Sequence, residues 1–238
     1  MSLRFALASD RGKVRENNED HVRAEPERGL FVLADGMGGH VAGEVASEVA
    51  VSSCISAVLK EAKPRRIRDE AALVEGAMHA ANEAVVRAAS DRGLFGMGTT
   101  LTTTLVRGRT ATIGHVGDSR AYVVTNRLRQ LTTDHTVVAM LVEGGILSPE
   151  EVVDHPDRHV LTQALGTQDL IEPDVIQTRV PSGGRILLSS DGLHDVVPDD
   201  EILAAASRRN LEEACAALVT CAKDHGAPDN VSVVLIEP

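Results

Sequence analysis

The chain has 238 residues, 43% hydrophobic and 25% charged, a composition typical of ordinary globular proteins that predicts a single domain over residues 1–238. Its 24 Lys and Arg stand against 35 Asp and Glu, and the net charge of -11 has the wrong sign for nucleic acid or anionic lipid as a partner. Aromatic residues make up only 2%, so base stacking is also excluded as a binding strategy.

Apolar runs bounded by turn residues predict six strands. They cover residues 29–34, 100–106, 110–116, 121–124, 185–188 and 231–236. Short connections between several of them indicate antiparallel hairpins. Because strands come first and last with helices grouped between them, the order predicts an α+β fold and not a regular βαβ alternation.

Helical signals occur in four segments. The first helix begins near Gly43, and the second covers about residues 69–89. Its packing face is predicted to carry Leu73, Gly76, Ala77, Ala80, Ala84 and Ala88. A short helix is predicted after Ser148, where Pro149 and Glu151 match a capping box. The last helix aligns Leu211, Ala214, Cys215, Leu218, Cys221 and Ala222 and ends before Gly226.

No targeting or membrane signal is visible in the sequence. Residues 1–5 lack the apolar core of a signal peptide, and no later apolar run approaches the about 18 residues of a membrane span. We therefore expect a cytoplasmic protein with no membrane partner.

The three cysteines are expected to be buried thiols. Cys54, Cys215 and Cys221 cannot all pair, and each falls on a predicted helix. None of them is followed six positions later by Arg, so the loop of the cysteine-dependent phosphatases is missing. A nucleophile must come from elsewhere.

Four aspartates stand at the ends of predicted strands. Asp35, Asp118 and Asp191 each follow an apolar run, and Asp229 comes just before the last strand. One such aspartate alone is usually a turn residue. Several carboxylates at one sheet edge would repel each other and raise each other's pKa unless a cation neutralised them. Oxygen ligands of this kind suit Mg²⁺ or Mn²⁺, whereas zinc prefers His and Cys.

Seven segments, in this order, resemble motifs of the bacterial branch of the protein phosphatase 2C family, the metal-dependent protein phosphatases. They are residues 12–20, 34–40 with 42–44, 98–100, 116–122, 131–135, 190–193 and 229–232. The resemblance implies an α/β/β/α sandwich, in which two antiparallel sheets pack face to face with helices outside both. It also implies that the protein removes phosphate from serine or threonine.

The same resemblance implies a metal site and its ligands. The residues concerned are Asp20, Asp35, Gly36, Asp118, Asp191 and Asp229. Asp35 would bridge two Mn²⁺ or Mg²⁺ ions, with the Gly36 carbonyl on one and Asp191 and Asp229 on the other. Asp20, or Glu19 beside it, would act through metal-bound water. Asp118 would help Asp191 to hold a third, weaker cation.

The implied reaction is in-line attack on phosphorus by a water that bridges the two cations. Arg15 would bind the phosphoryl oxygens through its guanidinium fork. His40 is the candidate acid for the leaving oxygen, although a metal-bound water could do the same. Eukaryotic relatives often carry His where this chain has Met37, so the acid role does not transfer from that position.

Other segments have secondary roles in this interpretation. Asp134 and His135 are expected to cap and pack, and residues 144–158 correspond to a flap beside the active site. A serine hydrolase is excluded at Ser119, because Ala121 stands where the nucleophile elbow needs Gly. The alternative from another class is a catalytically weak phosphopeptide-binding module.

Partners are expected by analogy only. They are phosphorylated proteins, among them Ser/Thr kinases and the targets of those kinases. A monomer is the expectation from the family.

Overall fold

The computed structural model describes residues 3–38, 41–61 and 68–238. Eleven strands lie in these ranges: β1 (Arg4–Asp10), β2 (Asp20–Glu25), β3 (Leu30–Met37), β4 (Gly98–Thr99), β5 (Leu101–Arg107), β6 (Thr110–Val116), β7 (Arg120–Val124), β8 (Leu128–Gln130), β9 (Asp174–Arg179), β10 (Arg185–Ser189) and β11 (Val231–Glu237). The helices are α1 (Val41–Lys60), α2 (Arg68–Arg92), α3 (Val137–Glu143), α4 (Asp191–His194), α5 (Asp199–Ala206) and α6 (Leu211–Asp224), with a 3₁₀ helix at Pro149–Glu151.

The strands form two antiparallel sheets. One has the order β1-β11-β10-β7-β8, and the other has the order β2-β3-β5-β6-β9, with β4 paired to the end of β3. Consecutive or hairpin-linked strands are neighbours in much of both sheets, as the short connections in the sequence indicate. The predicted α+β class is confirmed.

Three apolar layers hold the sandwich together, and the period-two alternation of β3 shows how. Leu30 and Val32 point to the layer shared with α1 and α2, whereas Phe31 and Leu33 point to the layer between the sheets. A third layer packs β11 and its neighbours against α4, α5 and α6. The α/β/β/α arrangement predicted by the family resemblance is therefore confirmed.

Helix α1 corrects one expectation from the sequence. Its stretch Ala42–Lys60 is long and apolar enough to cross a membrane by length and composition alone. In the fold, however, Ala46, Ala50, Cys54 and Val58 lie in the layer beneath the second sheet. The apolar character of this helix is explained by burial against β3 and α2.

The packing face of α2 was predicted about one residue out of position. Ala77 is buried as predicted, but most of the buried face is formed by larger residues such as Val74, Met78 and Val85, while Gly76 is exposed. The physical reason lies in β6, where a Cβ at Gly114 would lie 2.6 Å from the Val74 side chain. The missing side chain at Gly114 makes room for the larger face of α2.

Four strands that the sequence did not predict are edge strands: β1, β8, β2 and β9. The exposed positions of β2, β8 and β9 carry polar residues, so these strands form no continuous apolar run. Strand β1 does contain a short apolar run, residues 5–8, in which Leu7 is exposed. The two-residue strand β4 and the short helices α3, α4 and α5 were also not predicted. The capping box at Ser148 is confirmed, although the helix it caps is a single 3₁₀ turn.

All three cysteines are free thiols. Cys54 and Cys215 are buried as expected, and burial raises the pKa of Cys54 to about 12. Cys221 is only partly buried, because it lies at the border of the apolar face of α6. The expectation of burial was therefore wrong for Cys221.

Candidate active site

Five aspartates are brought together by the ends of strands from both sheets. Asp35 lies near the end of β3, Asp118 comes two residues after β6, and Asp191 is the first residue of α4. Asp229 comes shortly before β11. Asp20 begins β2 and is the direct ladder partner of Asp35. The fold thus assembles at one place carboxylates that are up to 209 residues apart in the sequence, from Asp20 to Asp229.

These elements surround one cleft of about 590 Å³. The residues predicted from the sequence that line it are Arg15, Asp35, Gly36, Asp118, Asp191 and Asp229, together with Glu19, the alternative to Asp20. Asp20 is buried beside the cleft, and its Oδ2 accepts a hydrogen bond of 2.8 Å from Ser190 Oγ. His40, the candidate acid, lies outside the described residues.

Two glycines allow the backbone segments of the site to approach each other. A Cβ at Gly36 would lie 2.1 Å from the carbonyl oxygen of Gly43, and a Cβ at Gly192 would lie 1.9 Å from that of Asn230. Neither space admits any side chain. Each glycine directly follows an aspartate of the cleft, so the close approach places that aspartate against the neighbouring segment.

Burial and mutual repulsion raise the pKa values of the clustered carboxyls. Burial is the largest cause at Asp35, whose pKa lies well above its usual range, and the charge of Asp20 adds to the effect. Burial, followed by the charge of Asp118, does the same to the pKa of Asp191. Burial also raises the pKa of Asp20 to about 6 and that of Asp118 to about 7. Carboxyls in this arrangement are stable as anions only beside positive charge.

The carboxylates have free ligand atoms. Asp20 Oδ1 and Asp191 Oδ1 are both buried without a hydrogen-bond partner in the described part of the chain. A buried unpaired oxygen is costly unless something else satisfies it. Several carboxylate oxygens close together form the kind of site that binds Mg²⁺ or Mn²⁺. The described residues of the cleft therefore suit the cations that the family resemblance implies.

Arg15 is held directly over this acidic cluster. Its Nη2 donates a hydrogen bond of 2.6 Å to Asp229 Oδ2, and its side chain is 51% exposed. Asn230 fixes the segment around it, because its Nδ2 donates to the carbonyl oxygens of Arg11 and Asn17, both at 2.9 Å. The guanidinium is thus positioned at the cleft and still accessible to an anion from solvent.

A buried hydroxyl pair lies behind Asp35. The Asp35 N–H donates to Thr100 Oγ1 at 2.9 Å, and Thr100 Oγ1 lies 2.8 Å from Ser119 Oγ. Ser119 is fully buried, at 0% exposure. A serine without access to substrate cannot act as a nucleophile, which agrees with the exclusion of a serine hydrolase.

Asp134 and His135 brace the segment that carries Asp118. The Gly117 N–H donates to His135 Nδ1 at 3.2 Å, and the His135 N–H donates to the Gly117 carbonyl at 2.8 Å. Asp134 accepts a pair of hydrogen bonds from the Arg120 guanidinium, the shorter one 2.6 Å long. These contacts are structural, and neither residue lines the cleft of about 590 Å³.

The predicted flap reaches the cleft at its C-terminal end. Arg158 and His159 line the cleft, and Arg158 Nε donates to His159 Nε2 at 2.7 Å. His159 Nδ1 in turn lies 3.3 Å from Asp195 Oδ2. The flap is therefore connected by side chains to the residue that caps the C-terminus of α4.

Two polar residues of the cleft, His159 and Asp195, were missed from the sequence. With Asp191 they place three potential ligand atoms within 4.8 Å of one another. Asp195 could have been found, because it follows Asp191 by four residues, which is one helical turn. For His159 the sequence offered no signal, since it stands one residue beyond the segment compared with the flap.

Comparison with known proteins gives the same result as the fold and the cleft. A sequence profile of the family Protein phosphatase 2C matches residues 11–232. The serine/threonine protein phosphatase PstP of Mycobacterium tuberculosis is 42% identical over 99% of this chain, which spans only 45% of that protein. The serine/threonine phosphatase stp of Listeria monocytogenes is 37% identical over 96% of this chain and 93% of its own length.

A solved structure extends the comparison to the metal site. The catalytic domain of PstP, in complex with two manganese ions, superposes with a TM-score of 0.87 at 39% identity, covering 99% of this chain and 97% of that one. Family profile, sequence relatives and fold all agree. This chain therefore belongs to the bacterial branch of the protein phosphatase 2C family, the metal-dependent protein phosphatases.

Proposed function

We propose that this chain hydrolyses phosphoserine and phosphothreonine in proteins with the help of two Mn²⁺ or Mg²⁺ ions. The observation that carries the proposal is the cluster of aspartates at the cleft. Asp20, Asp35 and Asp191 in it have raised pKa values, and Asp20 and Asp191 each have one buried oxygen with no partner among the described residues. The manganese complex of the related PstP domain supports it.

The proposed ligands divide into three groups. Asp35 would bridge the metal pair, with the Gly36 carbonyl on one ion and Asp191 and Asp229 on the other. Asp20 is buried beside the cleft, and it or Glu19 would act through metal-bound water. Asp118, with Asp191, is proposed for a third and weaker cation. When bound, the cations supply an activated water for in-line displacement and neutralise the phosphoryl oxygens.

The protein side chains do the remaining work. Arg15 would exchange part of its contact with Asp229 for the phosphoryl oxygens, since a guanidinium carries donors enough for both. The leaving alkoxide needs a proton, and His40 keeps that proposed role from its place in the motif. In the buried wall, the Thr100 hydroxyl fixes the backbone of Asp35 and so the direction of its carboxylate.

A phosphopeptide-binding module without activity is not favoured. Such a module would bind phosphate without needing a buried carboxylate cluster, and here Asp35, Asp191 and Asp229 are all present at the cleft. Phosphorylated proteins, including Ser/Thr kinases and their targets, are the proposed substrates. We propose that the protein acts in the cytoplasm as a monomer.

The test is turnover of p-nitrophenyl phosphate and of a phosphothreonine peptide. We expect activity with Mn²⁺, none in EDTA, and a loss of at least about 100-fold in Asp191→Ala, because that change removes a ligand shared by several cations. Asp224→Ala, at the exposed end of α6, is the matched control and should keep full activity. Activity that survives both EDTA and Asp191→Ala would rule out the metal mechanism.

A further inference from the structure

The chain has only four aromatic residues, three Phe and one Tyr, and one of them is in an unusual place. Phe31 and Tyr122 are buried, and Phe5 packs against Phe31 with ring centroids 5.3 Å apart and the rings tilted by 58°. Phe95 is 83% exposed. A single exposed apolar residue needs no explanation by itself, so its position decides whether it has a role.

Phe95 stands on a turn that is firmly anchored on both sides. Before it, the Leu94 N–H donates to the Ala89 carbonyl at 2.9 Å and closes the end of α2. After it, Met97 is fully buried, and its N–H donates to the Leu94 carbonyl at 3.2 Å. Gly96 has φ +83°, which lets the chain reverse directly after Phe95. The turn therefore projects Phe95 into solvent from a fixed base.

The base of this turn touches the wall of the cleft. Gly38 lines the cleft, and a Cβ at Gly38 would lie 3.3 Å from the Gly96 carbonyl oxygen and 3.1 Å from the Met97 Cα. Met37, another residue of the wall, pairs with Gly98 and packs its methyl group over it. On this side the cleft wall carries Met37 and Gly38, and Gly38 lies against the turn that bears Phe95.

We propose that Phe95 contacts the protein substrate and selects an apolar side chain near the phosphorylated residue. The inference rests on the proposed function, because the acidic cluster and Arg15 fix where the phosphate lies. Residues flanking that phosphate must then cross the rim of the cleft. An apolar flank gains contact with Phe95, whereas an acidic flank gains nothing there and is repelled by a chain of net charge -11.

The experiment uses two phosphothreonine peptides that differ only at the three positions on each side of the phosphorylated residue, which are Leu in one and Ser in the other. Wild type should prefer the Leu peptide. In Phe95→Ala that preference should fall by about five- to tenfold, because one partly buried apolar contact is lost. The change should appear in KM. Hydrolysis of p-nitrophenyl phosphate, which has no flanking residues, should not change.

Leu59→Ala is the matched control. Leu59 is 44% exposed near the end of α1. It lies 17 residues after Ala42, about 26 Å along α1 from the end that contacts Gly38. This variant should keep the preference for the Leu peptide, and Phe95→Leu should keep part of it.

The outcomes separate the two proposals. If Phe95→Ala keeps the full preference for the Leu peptide, or if Leu59→Ala loses it equally, the role of Phe95 is overturned while the proposed function stands. If wild type hydrolyses neither p-nitrophenyl phosphate nor the peptides with Mn²⁺, the proposed function is overturned and this inference with it.

Discussion

Among the titratable side chains, His115 shows how a polar residue is kept neutral in the core. It is fully buried in β6, its Nδ1 accepts from the Thr102 hydroxyl at 3.0 Å, and its Nε2–H donates to the Thr133 carbonyl at 3.1 Å. Burial, together with the nearby His135, lowers the pKa of His115 to about 3. Both ring nitrogens have hydrogen-bond partners in the neutral form. Protonation would place a charge in the core, so it is unfavourable.

This arrangement predicts a pH-dependent contribution to stability. Between about pH 6.5 and pH 3 the unfolded chain binds a proton at His115 that the folded chain does not, so stability is lost as pH falls through that range. His115→Gln keeps an acceptor and a donor without titrating. The free energy of unfolding of wild type should fall relative to this variant by about 1.4 kcal/mol per pH unit.

The measurement is urea unfolding of both proteins in EDTA from pH 8 to pH 4. Asp20 and Asp118 contribute in the opposite direction, because their raised pKa values let the folded state bind protons first. They are common to both proteins and cancel in the difference. If plots of the free energy of unfolding against pH stay parallel for the two proteins over the whole range, the assignment to His115 is contradicted.

At the scale of elements, two glycines within helices have very different surroundings. Gly192, in α4, directly faces the Asn230 carbonyl, whereas a Cβ added to Gly76, exposed on α2, would have no atom within 4 Å. The same substitution should therefore have opposite effects at the two sites. One glycine is needed for close approach, and the other only weakens a helix.

We expect Gly192→Ala to destabilise the protein by about 2–3 kcal/mol, because α4 must move away from β11 to accommodate the methyl group. The shift would also separate Asp191 from Asp229 and weaken Mn²⁺ binding. Gly76→Ala should stabilise by about 1 kcal/mol, the helix-propensity difference. Thermal unfolding with and without Mn²⁺ measures the stability and the Mn²⁺ binding of each variant. Equal changes in stability at the two positions would contradict the difference in their surroundings.

For the whole molecule, the candidate metal site is built from both sheets, so cation binding and folding should be coupled. Asp35 belongs to one sheet, and Asp191 and Asp229 flank strands of the other. In the proposed function, cations bind only when both sheets are in place. They should then stabilise the folded state by about 2.7 kcal/mol at a concentration 100 times the dissociation constant.

Differential scanning calorimetry of the wild type in EDTA and in rising Mn²⁺ tests this coupling. The melting temperature should increase with Mn²⁺ concentration, and Asp191→Ala should respond much less. A melting curve that is the same in EDTA and in Mn²⁺ would contradict a cation site built from both sheets.

The sequence by itself determined the central strands, the three long helices and the order of the motifs. Strands β3, β5, β6, β7, β10 and β11 are buried on both faces over most of their length and so form runs of apolar and β-branched residues that a pattern can detect. The aspartates Asp35, Asp118, Asp191 and Asp229 were visible for the same reason, because each stands where such a run begins or ends.

Only the tertiary structure decided the rest. The edge strands are half exposed, so their pattern resembles that of loops. The face that α2 buries depends on Gly114 of another element. The contact between the cleft wall and the turn that carries Phe95 depends on the close approach of Gly38 to Gly96 and Met97. His159 and Asp195 reach the site through folding of the flap onto α4. Local patterns report burial, whereas these features depend on contacts between segments far apart in the chain.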